Sequence, residues 1–133
     1  MMKGMDGRLE TWLLAFRLDQ SLHGHAFTVL AALPATVQED FITDPRFTIA
    51  DYEPGPGVIM EVPVGAPAFN SASRSVMLKR TLRRSSHEFT RYVIAHELAH
   101  AHLRNQGRSP SEDPEHAADS LAALWGFPRP KNW

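Results

Sequence analysis

The stretch Tyr92 to Gly107, YVIAHELAHAHLRNQG, places three of the chain's seven histidines within seven positions, and two of them, His96 and His100, bracket Glu97. Four residues apart on a helix, two imidazoles are offset by roughly 40° and one turn, so both can reach one metal ion. Glu97 lies about 100° round the helix from His96, where a carboxylate can approach a metal-bound water without displacing the ligands. The expected chemistry is hydrolytic: zinc activates water and polarises a carbonyl, and the glutamate acts as general base and then passes the proton to the leaving amine. With no cysteine in the chain, any metal must be held by His, Asp and Glu.

Two histidines are half a site, because a catalytic zinc takes three protein ligands and keeps a fourth position for water. A metzincin would continue with glycine three residues after His100 and a third histidine three residues further, where this chain has Leu103 and Gln106. The third ligand is therefore sought in the next helical stretch, DPEHAADSLAALWGF. There Glu115 and Asp119 stand four apart and share a face, as a ligand and a residue orienting a ligand must. His116 neighbours Glu115 but points about 100° away, and His102 leaves the His96/His100 face, which suits a surface or packing role. His23, His25 and His87 have no partner at ligand spacing. Tyr52 and Tyr92 are candidate oxyanion donors that spacing alone assigns to nothing.

HELAH followed downstream by EHAAD resembles the gluzincin metallopeptidase pattern, H-E-x-x-H with a later E-x-x-A-D or E-x-x-A-N, and in particular its small single-domain members, the minigluzincins. The ImmA/IrrE-type peptidases are a close alternative, although Asp119 stands where they usually carry Asn and no helix-turn-helix is evident. The resemblance covers mainly residues 76–127. It implies His96, His100 and Glu115 as ligands of one Zn2+ per chain, Glu97 as general base, Asp119 orienting a ligand histidine, and a zincin-like fold. It also implies an edge strand, Ser75 to Leu82, that pairs with an extended peptide or protein substrate through its main chain. The alternative is a zinc-bearing peptide-binding module, or degenerate peptidase, that does not cleave.

The elements that must position these residues are legible in outline. Leu9, Trp12, Leu13 and Phe16 recur at i, i+3, i+4 and i+7, the stripe of a helix on a core. Further helices are expected over 26–33 and 35–42, the second ended by Asp44-Pro45. Two short extended segments follow, around Phe47 and Ile49 and from Val58 to Val62, separated by EPGPG. SVMLKRTL alternates like a half-buried strand over 75–82. Ser85 with Glu88 forms a capping-box pattern for a motif helix over about 86–105 that stops at Gly107. Asp113-Pro114 starts a glutamate helix over about 114–125, with Leu121, Leu124 and Trp125 as core positions and GFP as its end. The fold class expected is α+β: N-terminal helices over about 8–42, a small antiparallel or mixed sheet over about 46–82, and two closing helices.

At 133 residues the chain suits one domain. A net charge of -1 and 22% charged residues indicate no generally nucleic-acid-binding surface. Residues 74–91 nevertheless carry Arg74, Lys79, Arg80, Arg83, Arg84 and Arg91 against Glu88 alone, which fits a solvated face better than a cleft rim. The apolar run Trp12 to Phe16 is too short for a signal-peptide core or a membrane span, so a cytoplasmic location is expected.

Overall fold

A computed structural model describes residues 3–52, 74–105 and 113–131 of the chain. Its helices come first and last. Helix α1, Lys3–Leu13, buries Leu9 and Leu13 completely, while Trp12 and Phe16 pack partly buried against the core. Phe16 lies beyond the last helical turn, and its ring meets those of Trp12 and Phe47 edge-on. Helix α2, Gln20–Ala32, begins six residues before the expected position 26. Asp19 explains the early start: its carboxylate accepts from the Ser21 N–H, satisfying one of the helix's free donors.

Helix α3, Ala35–Ile42, has the expected bounds. Its buried Gln38 donates from Nε2 to the Leu30 carbonyl at 2.8 Å and so satisfies an acceptor at the end of α2. Phe41, wholly buried, stacks in a tilted arrangement on Phe47 at the start of strand β1, Phe47–Tyr52.

Strand β1 pairs with β2, Arg74–Lys79, in parallel, from Phe47 opposite Arg74 to Tyr52 opposite Lys79. The small antiparallel or mixed sheet anticipated over 46–82 is thus corrected: the two described strands run parallel. A parallel pair needs a crossover of about a dozen residues or more, and the chain has residues 53–73 between the two strands. The strand anticipated from Val58 to Val62 falls in that interval, outside the described residues. The pairing is dictated by burial: Phe47 and Ile49 on β1 and Val76 and Leu78 on β2 are each at most 3% exposed. Among the described residues these two strands form the whole sheet.

The alternation of SVMLKRTL does not run to Leu82 as anticipated. After Lys79 the chain winds into a 3-10 helix, Arg80–Arg84, in which Leu82 still reaches the core. The Leu82 carbonyl is claimed locally, accepting from Ser85 N–H and from the Thr90 hydroxyl at 2.8 Å, which leaves nothing for a strand ladder. Arg80 bends back to place Nη2 2.9 Å from Asp51 on β1.

Helix α4, His87–Asn105, carries the motif. The residue capping it is Ser86, whose Oγ accepts from Phe89 N–H at 3.1 Å, one position after the expected Ser85. Ile94, Ala95, Leu98 and Ala99 are fully buried. The expected stop at Gly107 lies outside the described residues.

Helix α5, Pro114–Leu124, opens as expected, with Asp113 accepting from Glu115 N–H and Pro114 in the first turn. It closes at Gly126, whose φ of 103° requires glycine, as Phe127 N–H bonds back to Ala122 and Gly126 N–H to Ala123. Its core residues are Ala118, Ala122 and Trp125; Leu124, expected inside, is 81% exposed. The architecture is α+β, with five helices and a two-stranded parallel sheet among the described residues, and no described helix is long and apolar enough to cross a membrane.

Candidate metal centre

Helices α4 and α5 pack against each other, and Ala95 and Ala99 of α4 and Ala118 and Ala122 of α5 are all fully buried. Small side chains at these positions let the two backbones approach, and polar groups from both helices then meet.

His96 Nε2 lies 2.9 Å from Glu115 Oε1 and 3.1 Å from His100 Nε2, and His100 Nε2 lies 3.1 Å from Glu115 Oε2. Among the described residues this trio is the one group of three potential ligands whose donor atoms all fall within 4.8 Å of one another. On its other side, His96 Nδ1 is 2.7 Å from Asp119 Oδ1. Each ring nitrogen of His96 therefore has a carboxylate oxygen beside it, and the tautomer that gives its proton from Nδ1 to Asp119 is the one that presents a lone pair at Nε2.

The consequence is chemical. Nε2 of His96 then faces a carboxylate oxygen and a second imidazole nitrogen, a convergence of electron-pair donors that a cation would satisfy. The donor set fits zinc: bonds of about 2.0–2.2 Å in tetrahedral geometry separate ligand atoms by roughly 3.3 Å, close to the separations here. Contact with His96 holds the Glu115 carboxyl below its ordinary range against the opposing effect of burial, and His100 lowers it further.

Asp119 has a second donor. The Tyr92 hydroxyl, on α4 one turn before His96, donates to the same Oδ1 at 2.6 Å. Burial first, and then this bond, push the Tyr92 phenol up to about 12. Burial would raise the Asp119 carboxyl, but donation from Tyr92 and His96 keeps it below the usual carboxylate range. Sequence reasoning gave Tyr92 no role; the signal that could have found it is its i, i+4 spacing to His96, which puts both side chains on one helix face.

Glu97 stands apart from the trio and lines a cleft of about 470 Å³ beside β2. The walls are mostly apolar, with Tyr52, Met77, Leu82, Phe89 and Val93 among them. His116 is exposed and outside the converging group. His102 turns from the site and places Nδ1 2.7 Å from Asp40 on α3, between the rings of Phe41 and Trp125.

The basic stretch is partly spent on the fold. Arg80 pairs with Asp51, Arg83 with Asp19 at 3.0 Å, and Arg91 Nε donates to His25 Nδ1. These three are tied to neighbouring elements, where a freely solvated face was expected.

No family model, curated protein or solved structure matches this chain, so the functional reading rests on the residues and geometry above.

Proposed function

We propose that this chain is a small zinc metallopeptidase of gluzincin type, built on a zincin-like arrangement of strand, motif helix and glutamate helix. The observation that carries the reading is the meeting of His96 Nε2, His100 Nε2 and Glu115 on one point while Asp119 holds His96 from behind. Those three residues would hold the ion. When bound, zinc supplies the Lewis acidity that makes water nucleophilic near neutral pH and polarises a peptide carbonyl.

The remaining roles belong to the chain. Glu97 takes a proton from the water that adds to the carbonyl carbon and delivers it to the amide nitrogen as the C–N bond breaks, leaving a carboxylic acid and an amine. Asp119 keeps His96 in the Nδ1–H form, so that its Nε2 lone pair stays available. The mostly apolar cleft beside Glu97 accepts an uncharged side chain of an extended peptide, with β2 alongside it as a main-chain partner.

Incubating the zinc-loaded protein with a mixed-sequence peptide library tests this directly. Cleavage that stops with a chelator, returns with zinc and is abolished by Glu97→Gln is the expected result. Peptide capture without cleavage would make the chain a zinc-bearing binding module, and cleavage undiminished in Glu97→Gln would remove the general-base assignment.

A further inference from the structure

Beyond the three ligands and their general base, we infer that Tyr92 is a positioning residue for the metal centre, acting on His96 through Asp119. This rests on the zinc-site reading above and adds a residue to it.

The geometry is that of a relay. One oxygen, Asp119 Oδ1, receives the Tyr92 hydroxyl at 2.6 Å and His96 Nδ1 at 2.7 Å. Asp119 sits on α5 with its side chain 29% exposed, and a carboxylate with that much solvent around it can rotate off a single partner. Tyr92 is 9% exposed, its ring lying 6.2 Å from Phe89 and 5.8 Å from His96. A buried ring has little freedom, so its hydroxyl is a fixed point, and the carboxylate bound to it is fixed as well. Asp119 then offers His96 an acceptor in one place, and the imidazole is held in one tautomer and one ring orientation.

The same contact joins the helices. Tyr92 and His96 come from α4, and Asp119 and Glu115 from α5, four residues apart. Fixing Asp119 therefore also fixes the turn that presents Glu115. A phenylalanine at 92 would fill the same space and preserve the core while releasing the carboxylate.

The test is a double-mutant cycle on zinc affinity, measured on the full chain by competition with a chromogenic chelator. Outer partners of metal ligands are worth roughly 10–100-fold in affinity, so Asp119→Ala should fall in that range. Tyr92→Phe, one bond further out, should weaken zinc about fivefold, and Tyr92→Leu, which removes the hydroxyl by another route, should match it. In the Asp119→Ala background, Tyr92→Phe should change affinity by about twofold at most. A fivefold loss that persists without Asp119 would show that Tyr92 acts on its own and would overturn the relay. So would a Tyr92→Phe protein that binds zinc like the wild type. A wild-type chain that takes up no zinc would overturn the metal centre itself, a different failure from either.

Discussion

Two pairs of histidines in this molecule stand at the same separation, and only one has carboxylates beside it that could complete a cation site. The rings of His96 and His100 are 4.7 Å apart, and so are those of His25 on α2 and His87 on α4. The difference lies in their neighbours. Around His96 are two carboxylates, Glu115 on Nε2 and Asp119 on Nδ1. Beside His25 is a guanidinium, with Arg91 Nε donating to Nδ1 at 3.2 Å. Arg91 consumes the lone pair a metal would need and adds positive charge where a metal would sit. Burial, then Arg91 and His87, push the His25 pKa down, which favours neutral His25 in the packing between α2 and α4. Proximity of imidazoles is thus common to both places, and acidic partners distinguish the pair that could hold a cation.

That contrast can be broken most sharply by exchanging which pair is lost. His96→Ala with His100→Ala should remove zinc completely and reduce peptide cleavage by at least about a thousandfold, because both the Lewis acid and its orientation disappear. His25→Ala with His87→Ala should leave zinc affinity within about twofold, as measured by the same chelator competition. Loss of zinc in the second double variant would show the two pairs to be coupled.

A smaller effect separates the pairs by pH. The His25 pKa is lowered from 6.5 on folding, so its neutral form favours the native state. That stability is fully present above pH 6.5 and is lost as the pH falls through the lower folded value. Thermal melts of the zinc-free protein should therefore decline on acidification below pH 6.5, and His25→Gln should flatten that part of the decline. An unchanged slope in His25→Gln would place the acid sensitivity elsewhere.

The smallest effect is spectroscopic. With its phenol raised from 10 to about 12, Tyr92 favours the folded state fully below pH 10 and loses that contribution as the pH climbs through its folded value. In a Tyr52→Phe protein, where Tyr92 is the remaining tyrosine, phenolate absorbance should rise near pH 12 in the folded chain. A rise centred at 10 in the folded protein would contradict the buried contact with Asp119.

Much of the site could be seen in the sequence because it is written in local spacings. The meeting of His96 with His100 follows from helical period, and Glu115 with Asp119 repeats the same four-residue step on the next helix, while Glu97 lines the cleft beside β2, outside that trio. Asp113-Pro114 and Gly126 mark the ends of that second helix by backbone chemistry that needs no tertiary context. What was missed depends on contacts between distant segments. The EPGPG turn says nothing of the strand that Phe47–Tyr52 will choose, and the parallel partner lies beyond residue 73. The switch from strand to 3-10 helix at Arg80 goes with contacts that the alternation of SVMLKRTL does not encode, the Thr90 hydroxyl on the Leu82 carbonyl and Arg80 on Asp51. Leu124 fits a core position by period, yet α5 buries Ala118 and Ala122 and leaves Leu124 in solvent. Tyr92 joined the site only once α5 brought Asp119 to it.

One ion shared by α4 and α5 would show first in the metal content of the purified protein. The wild-type chain should carry one zinc and the Glu115→Ala chain almost none, with the helical content of the apo-protein unchanged. A wild-type chain that binds no zinc, or a Glu115→Ala chain that retains it in full, would contradict the account.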